Sequence, residues 1–141
     1  MRQRTKAREH ALQMLYQMDI RQADRLRIPE EFWTLYTPMP EVKAFANQLV
    51  AGTVEHLSEI DALITQHADN WAMKRMAVID RNILRLGVFE LLHTEDVPPK
   101  VCINEAIELA KRFGDTESSK FINGILDAIH KRHAQGVPEP Q

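Results

Sequence analysis

The chain has 141 residues, of which 44% are hydrophobic and 27% are charged, and its formal net charge at pH 7 is −2. This balance is typical of a globular protein and excludes an intrinsically disordered one. A chain of this length is expected to build one hydrophobic core. We therefore predict a single domain over residues 1–135, followed by a flexible tail over residues 136–141.

The single cysteine and the absence of long apolar runs indicate the cellular compartment. Cys102 lies in an apolar run, so neither a disulfide framework nor a Cys-rich zinc site is available, and we expect an inert, buried thiol. No run approaches the roughly 20 apolar residues that cross a bilayer, and residues 1–14 lack the apolar centre of a secretory signal. We expect a cytoplasmic protein that does not enter the membrane.

Hydrophobic periodicity in the first half of the chain predicts three helices. Apolar residues spaced three and four apart predict a helix over residues 5–19. Pro29, followed by two acidic residues, opens a short second helix that stops before Pro38. From Pro40 the apolar period continues to Ile64, so we predict one long helix over residues 40–64.

The second half of the chain predicts three more helices. Residues 76–92 are apolar nearly all round a helical wheel, which indicates a central helix buried on most sides. A proline-containing loop over residues 93–100 precedes a helix over residues 104–113, which Gly114 closes. Ser118 or Ser119 is expected to cap the last helix. With no strand alternation, the prediction is an all-α fold, a compact bundle of six to seven helices.

A basic segment opens the chain. The first eight residues contain four cations and no acid, although the whole chain is slightly acidic. Cations at a helix N-terminus repel the positive end of the helix dipole, which suggests that an anion compensates them. Clustered, flexible positive charge is what contact with a nucleic-acid backbone requires. The alternative is a solvated terminus that serves only solubility. The four cations are Arg2, Arg4, Lys6 and Arg8.

A second basic group flanks the turn at residues 114–119. Lys111, Arg112 and Lys120 surround this turn, and Phe121 follows directly. Cations beside an aromatic ring suit a single-stranded RNA base that stacks while its phosphate is bound. Phe121 also fits the apolar stripe of the last helix, and the pattern alone favours its burial in the core.

An enzymatic interpretation rests on one helical spacing. Glu90 and His93 match the Glu-x-x-His spacing of di-iron helical bundles, and Asp127 and His130 repeat it loosely. Such a site needs carboxylates from two further helices, and the apolar stripe over residues 42–64 offers none. The sequence also lacks a glycine-rich phosphate loop, a serine nucleophile elbow and a His-Glu-x-x-His motif. We therefore expect no enzyme activity, no metal and no other cofactor.

Long segments of the chain resemble the NusB family of transcription antitermination factors. The run VPPKVCINEAIELAKRFG over residues 97–114 and SKFINGILD over residues 119–127 resemble the C-terminal signature of that family. RTKAREHALQMLY over residues 4–16 is similar to its arginine-rich first helix, and ILRLGVFEL over residues 83–91 to its central helix. The resemblance covers nearly the whole chain and is weakest over residues 19–71.

The resemblance implies a non-catalytic RNA-binding protein. NusB-like factors bind the boxA element of nascent, single-stranded RNA together with NusE, a ribosomal protein of the small subunit. The pair then helps RNA polymerase to read through terminators, notably in ribosomal RNA operons. The arginines in the arm of this chain are less densely spaced than the triple arginine common in the family, so NusE should contribute more to RNA binding.

The resemblance also assigns functional roles to individual residues whose positions match the family pattern. The resemblance places Arg4, Lys6 and Arg8 in the RNA-binding arm and Glu117 and Phe121 beside RNA. Combined with the basic residues, the predicted RNA-binding set is Arg2, Arg4, Lys6, Arg8, Lys111, Arg112, Glu117, Lys120 and Phe121, and the predicted NusE-facing set is Tyr16 and Asp80. The sequence leaves open whether the free protein is a monomer or a homodimer.

Two alternative functions are compatible with a helical bundle. The first is a helical scaffold that binds proteins but not RNA, in which the basic arm is incidental. The second is a fragment of an RNA methyltransferase, since similar helical domains precede such catalytic domains. The second alternative is discounted because the chain has no room for a cofactor-binding sheet.

Overall fold

The computed structural model describes residues 2–69 and 71–134, and this part of the chain contains seven α-helices and no strand. The all-α prediction is confirmed, whereas the predicted tail lies outside the described residues. No helix in the described ranges is long and apolar enough to cross a membrane. The helices are α1 Arg2–Ile20, α2 Ile28–Leu35, α3 Pro40–Glu55, α4 Leu57–His67, α5 Val78–His93, α6 Pro99–Phe113 and α7 Ser118–Ala134, with 3₁₀ turns at Gln22–Arg27 and Met73–Arg75.

Helix α5 is the centre of the bundle. It packs against α1, α3, α4, α6 and α7, and most of its side chains are buried. Helix α1 turns one stripe toward this centre and toward α3, because its apolar residues recur every three or four positions. The buried stripe of α1 is the predicted one: Ala7, Ala11, Met14, Leu15 and Met18.

The predicted long helix over residues 40–64 is wrong, because the chain bends at His56. The backbone of His56 leaves the helical region, with φ −103° and ψ 20°. One turn earlier, the Thr53 hydroxyl donates to the Leu49 carbonyl oxygen at 2.7 Å, a bond that often bends helices. Apolar residues keep the same period on both sides of the bend, so periodicity alone could not detect it.

Two glycines mark close approaches of helices. A Cβ on Gly52 would lie 2.1 Å from Phe89 Cζ, so the missing side chain lets the ring of α5 sit against α3. Gly114 follows α6 as predicted, but its backbone is extended, with φ −95° and ψ −171°. A Cβ there would lie 2.5 Å from Ser118 Oγ, so Gly114 is required by space and not by a left-handed conformation.

The last two helices start at different residues from those predicted. Helix α6 begins at Pro99, five residues earlier than expected, because proline tolerates the first helical position, where no N–H donor is needed. Asp115 Oδ1 accepts the backbone N–H groups of Glu117 and Ser118 at 2.9 and 3.1 Å. Ser118 Oγ accepts the Asp115 N–H in return at 3.0 Å. Asp115 therefore caps the start of α7, with Ser118 as its reciprocal partner, whereas the sequence predicts Ser118 or Ser119 as the cap.

A buried ion group joins α1, α5 and α6. Arg8 Nε and Nη2 donate to the Glu90 carboxylate at 2.8 Å, and Arg8 Nη1 donates to Glu105 Oε1 at 2.9 Å. The side chains of Arg8 and Glu90 are each only 2% exposed. Burial alone would lower the pKa of the Arg8 guanidinium, but the bonds and charges of Glu90 and Glu105 outweigh it and raise that pKa.

Cys102 belongs to the same buried region. Its side chain is buried, and its Sγ lies 3.8 Å from the Val97 carbonyl oxygen. Burial, and then the charge of Glu90, raise the pKa of the thiol to about 12. The thiol is therefore protonated at neutral pH and unreactive, as the sequence predicts.

Gly52→Ala should destabilise the fold, because the new methyl group overlaps the Phe89 ring. Overpacking of this kind costs about 1–3 kcal/mol in the free energy of unfolding. Gly124→Ala is the matched control: it lies within α7 and its Cβ would meet nothing within 4 Å, so it should gain up to about 1 kcal/mol. Urea unfolding followed by circular dichroism measures both, and equal effects of the two substitutions would contradict the close packing of Phe89 on Gly52.

Arg8→Met should destabilise the protein by about 3–5 kcal/mol, because it leaves the Glu90 carboxylate buried without its cation. Lys6→Met is the matched control, since the Lys6 side chain is 58% exposed and its partner Glu9 keeps Arg112 as a second cation. That control should change the free energy of unfolding by less than about 0.5 kcal/mol. An Arg8→Met protein as stable as wild type would show that Arg8 has no structural role.

Candidate functional site

The basic residues of α1 and α6 converge on Glu9. Lys6 Nζ lies 3.6 Å from Glu9 Oε1, and Arg112 Nη1 donates to Glu9 Oε2 at 2.5 Å. The Glu9 side chain is 9% exposed, whereas those of Lys6 and Arg112 are 58% and 62% exposed. One enclosed carboxylate thus orients two cations whose outer faces remain in solvent. We call Lys6, Lys111 and Arg112 the basic surface.

A cavity of about 350 Å³ lies next to the basic surface, between α1 and α6. Lys111 and Arg112 line it together with Thr5, Glu9 and Glu108. The carboxylates of Glu9 and Glu108 would repel a phosphate from the interior of the cavity. An anion would therefore be bound at the exposed outer faces of Lys6, Lys111 and Arg112.

Arg4 lies at another point on α1. Its guanidinium carbon is 4.4 Å from the centre of the Phe45 ring, and its Nη2 donates to Asp96 Oδ2 at 3.0 Å. The side chains of Arg4 and Asp96 are 43% and 68% exposed. Exposed ion pairs contribute at most about 1 kcal/mol, so a phosphate can replace Asp96 without much loss. The side chain of Arg2 lies outside what the structure describes.

The prediction that Arg8 contacts RNA requires correction. Each of its three side-chain nitrogens donates to Glu90 or Glu105, inside the protein. A side chain that is 2% exposed offers no face to an RNA phosphate. A helical wheel places Arg8 at the edge of the apolar stripe but cannot show that α5 and α6 supply carboxylates there. Arg8 is therefore assigned a structural role.

The remaining predicted residues line a second cleft. A cavity of about 700 Å³ brings together residues from the end of α4, the start of α5 and α7. Glu117, Lys120 and Phe121 line it together with Asp80 and Trp71. Asp80, a predicted NusE contact, thus shares a cleft with three predicted RNA contacts. Phe121 is half-buried, packing on the core with part of its ring in the cleft wall.

The cleft is acidic and has an unsatisfied acceptor. Asp80 is 9% exposed, and its Oδ1 accepts no hydrogen bond from the described residues. Burial, and then the charge of Asp115, raise the pKa of Asp80, while a hydrogen bond from Ser118 opposes the shift. With Asp115 and Glu117 also lining it, the cleft favours N–H donors over phosphates. Trp71, 50% exposed, was missed because no predicted helix contains it.

Tyr16 and Ile20 lie on the exposed side of α1. Tyr16 is 38% exposed and Ile20 is 55% exposed. One turn after Tyr16, Asp19 accepts Arg81 Nε at 2.7 Å and Arg85 Nη1 at 3.0 Å. Burial would raise the pKa of Asp19, but the hydrogen bond from Arg81 and its neighbours lower it. Asp19 lies one turn after Tyr16, and Arg81 directly follows Asp80. The Asp19–Arg81 ion pair therefore brings the two predicted NusE contacts, Tyr16 and Asp80, to adjoining parts of the molecule.

Comparison with known proteins gives one family. The NusB family model matches residues 5–131. The transcription antitermination protein NusB of Myxococcus xanthus is 47% identical over 130 residues, which cover 89% of this chain and 93% of the relative.

Solved structures give the same result. NusB of T. maritima has a TM-score of 0.85 and 38% identity, covering 93% of this chain and 92% of its own. A complex of the antitermination factors NusB and NusE with double-stranded RNA contains a chain with a TM-score of 0.84 and 32% identity. The match covers 93% of this chain and 98% of that one. Because the sequence match spans most of both proteins and the folds superpose, the chain belongs to the NusB family.

Proposed function

We propose that this chain is a non-catalytic transcription antitermination factor that binds boxA-type single-stranded RNA together with NusE. The bound pair would then promote read-through by RNA polymerase, notably in ribosomal RNA operons. The observation that carries the RNA-binding part is the convergence of Lys6 and Arg112 on Glu9. Family membership and the solved NusB–NusE–RNA complex support the antitermination role and the partner.

The RNA backbone would run along the basic surface. Phosphates bind the exposed nitrogens of Lys6, Lys111 and Arg112, and the α1 N-terminus adds its positive dipole because its first turn has no acid. Arg4 supplies a further cation once a phosphate replaces Asp96. These contacts fix position and affinity but carry little sequence information.

Base recognition would take place in the acidic cleft. Only residues 113–116 separate Arg112 on the basic surface from Glu117 at the cleft, so a strand of RNA can pass from one to the other. The carboxylates of Asp80 and Glu117 accept hydrogen bonds from base amino groups, and Phe121 offers a ring for stacking. The cleft therefore complements the basic surface, which binds phosphates.

The NusE contact would use the exposed side of α1 near its C-terminus. Tyr16 and Ile20 present apolar area there, and the Asp19–Arg81–Arg85 group holds this end of α1 rigidly to α5. An aromatic anchor on a rigid element is typical of residues that dominate binding energy. NusE would then bind beside the cleft and contribute to RNA specificity.

Lys6→Glu and Arg112→Glu should each weaken binding of a labelled boxA RNA, because each replaces a phosphate contact with repulsion. We expect an affinity loss of about tenfold or more and a salt dependence shallower by about 0.7 per lost contact. Lys131→Glu is the control, since Lys131 is a 70% exposed lysine that pairs with Asp127 on α7. Fluorescence anisotropy across a salt series, with and without NusE, measures the effect.

The scaffold alternative predicts a different result. If neither charge reversal changes RNA binding, the proposed basic surface is wrong. If wild-type protein with NusE binds boxA and scrambled RNA equally, the boxA-specific role is wrong, and if it binds neither RNA, the RNA-binding role is wrong. A helical scaffold would still bind NusE under the same conditions.

Tyr16→Ala and Ile20→Ser should weaken NusE binding by about 1–2 kcal/mol each, as expected for a truncated anchor at an interface. Both side chains are exposed, so the free energy of unfolding should stay within about 0.5 kcal/mol of wild type. Leu35→Ser is the control, because Leu35 on α2 is 77% exposed and outside the proposed face. Isothermal titration calorimetry measures the NusE affinity of each variant. A loss of NusE affinity in Leu35→Ser alone would place the NusE contact elsewhere on the molecule.

A further inference from the structure

Three potential metal ligands meet on the side of the bundle where α3 bends into α4. His56 lies at the bend, Glu59 lies in the first turn of α4, and His93 is the last residue of α5. Glu59 Oε1 is 3.3 Å from His93 Nε2, and Glu59 Oε2 is 3.8 Å from His56 Nδ1. One ligand atom from each residue lies within 4.8 Å of the other two.

The surroundings of this cluster favour a cation. Helix α5 ends at His93, and the negative end of its dipole points toward the cluster. The negative end of α3 is offset by the positive end of α4, which begins at Leu57. The ion pairs of Glu59 within the described residues are with these two imidazoles, not with a lysine or arginine. The imidazole rings stack at 4.0 Å, and the buried Phe89 ring lies behind them, 5.5 Å from His93.

We propose that His56, Glu59 and His93 form a binding site for a divalent transition metal, with Zn²⁺ as the best match. Two imidazole nitrogens and one carboxylate are a common zinc ligand set, which leaves a fourth position for water. Metal–ligand distances near 2.1 Å place tetrahedral ligands about 3.3–3.5 Å apart, close to the spacing of Glu59 and His93.

Metal binding requires the two imidazole rings to rotate out of their stack. The stacked rings are 15° from parallel, so each imidazole must turn until its nitrogen lone pair points to the common centre. The side chains of His93, His56 and Glu59 are 27%, 32% and 52% exposed, so solvent leaves space for the rings to rotate. The bound ion would link the α3–α4 bend to the end of α5.

This site differs from the Glu-x-x-His pair that the sequence suggested. Glu90 is bound to Arg8 inside the core and cannot serve as a ligand. His93 instead meets ligands from the bend and from α4, a region that the apolar period predicts as one uninterrupted helix. The helical spacing therefore pointed to the wrong partners for His93.

Calorimetric titration of the full-length, metal-free chain with ZnCl₂ tests the proposal. We expect one Zn²⁺ per chain, a rise in Tm with added Zn²⁺, and a visible absorption band when Co²⁺ replaces it. His56→Gln and His93→Gln should each weaken Zn²⁺ binding by about tenfold or more. His133→Gln, which alters an exposed histidine on α7, is the matched control and should bind as wild type does.

The Tm and the far-UV circular dichroism spectrum without metal show whether each variant is folded. We expect the variants to fold, because the substituted side chains are partly exposed. The proposal is overturned if wild type shows no Zn²⁺ binding, or if both ligand variants bind Zn²⁺ as tightly as wild type. It is also overturned if His133→Gln alone removes binding. The site is independent of the proposed RNA role, so His93→Gln should retain boxA RNA binding in the presence of NusE.

Discussion

The buried contact between Arg8, Glu90 and Glu105 is the constraint on which the arrangement of the functional surfaces depends. Removing such charges from water costs several kcal/mol per ion, and only close, multiple hydrogen bonds between them offset that cost. Arg8 makes these bonds to α5 and α6 at once, so α1 has one allowed rotation and depth against the bundle. That rotation turns Lys6 outward and carries Glu9 to Arg112 on α6. The basic surface therefore exists because a neighbouring cation is buried.

Two chemically different regions adjoin at the α6–α7 turn. The basic surface ends at Arg112, and the acidic cleft begins at Glu117, after a turn that Gly114 makes tight and the Asp115–Ser118 bonds hold rigid. Phosphates and base amino groups need opposite charges, and a single-stranded RNA that crosses this turn would meet both. Tyr16 lies elsewhere, on α1, where the Asp19–Arg81 pair connects it to the start of α5. A protein partner and RNA can thus occupy the same molecule without competing for one surface.

The sequence predicts the helices and the general location of the basic groups, because helical period and clustered charge are local properties. It does not predict pairings between distant residues. Arg8 and Lys6 look alike in sequence, and only Glu90 and Glu105 on other helices separate a buried arginine from an exposed lysine. The bend at His56 was missed because both halves continue one apolar period. The sequence also assigns Asp80 and Phe121 to different partners, and it cannot show that both line one cleft, because three helices form that cleft.

The most direct test of this arrangement is amide hydrogen exchange of the chain alone, with boxA RNA, and with RNA and NusE together. We expect RNA to slow exchange in the first turns of α1, in the last turn of α6 and across residues 114–118. NusE should slow exchange near Tyr16 and at the start of α5. Protection by RNA confined to α2 and α3, or identical protection by RNA and NusE, would contradict the separation of the two surfaces.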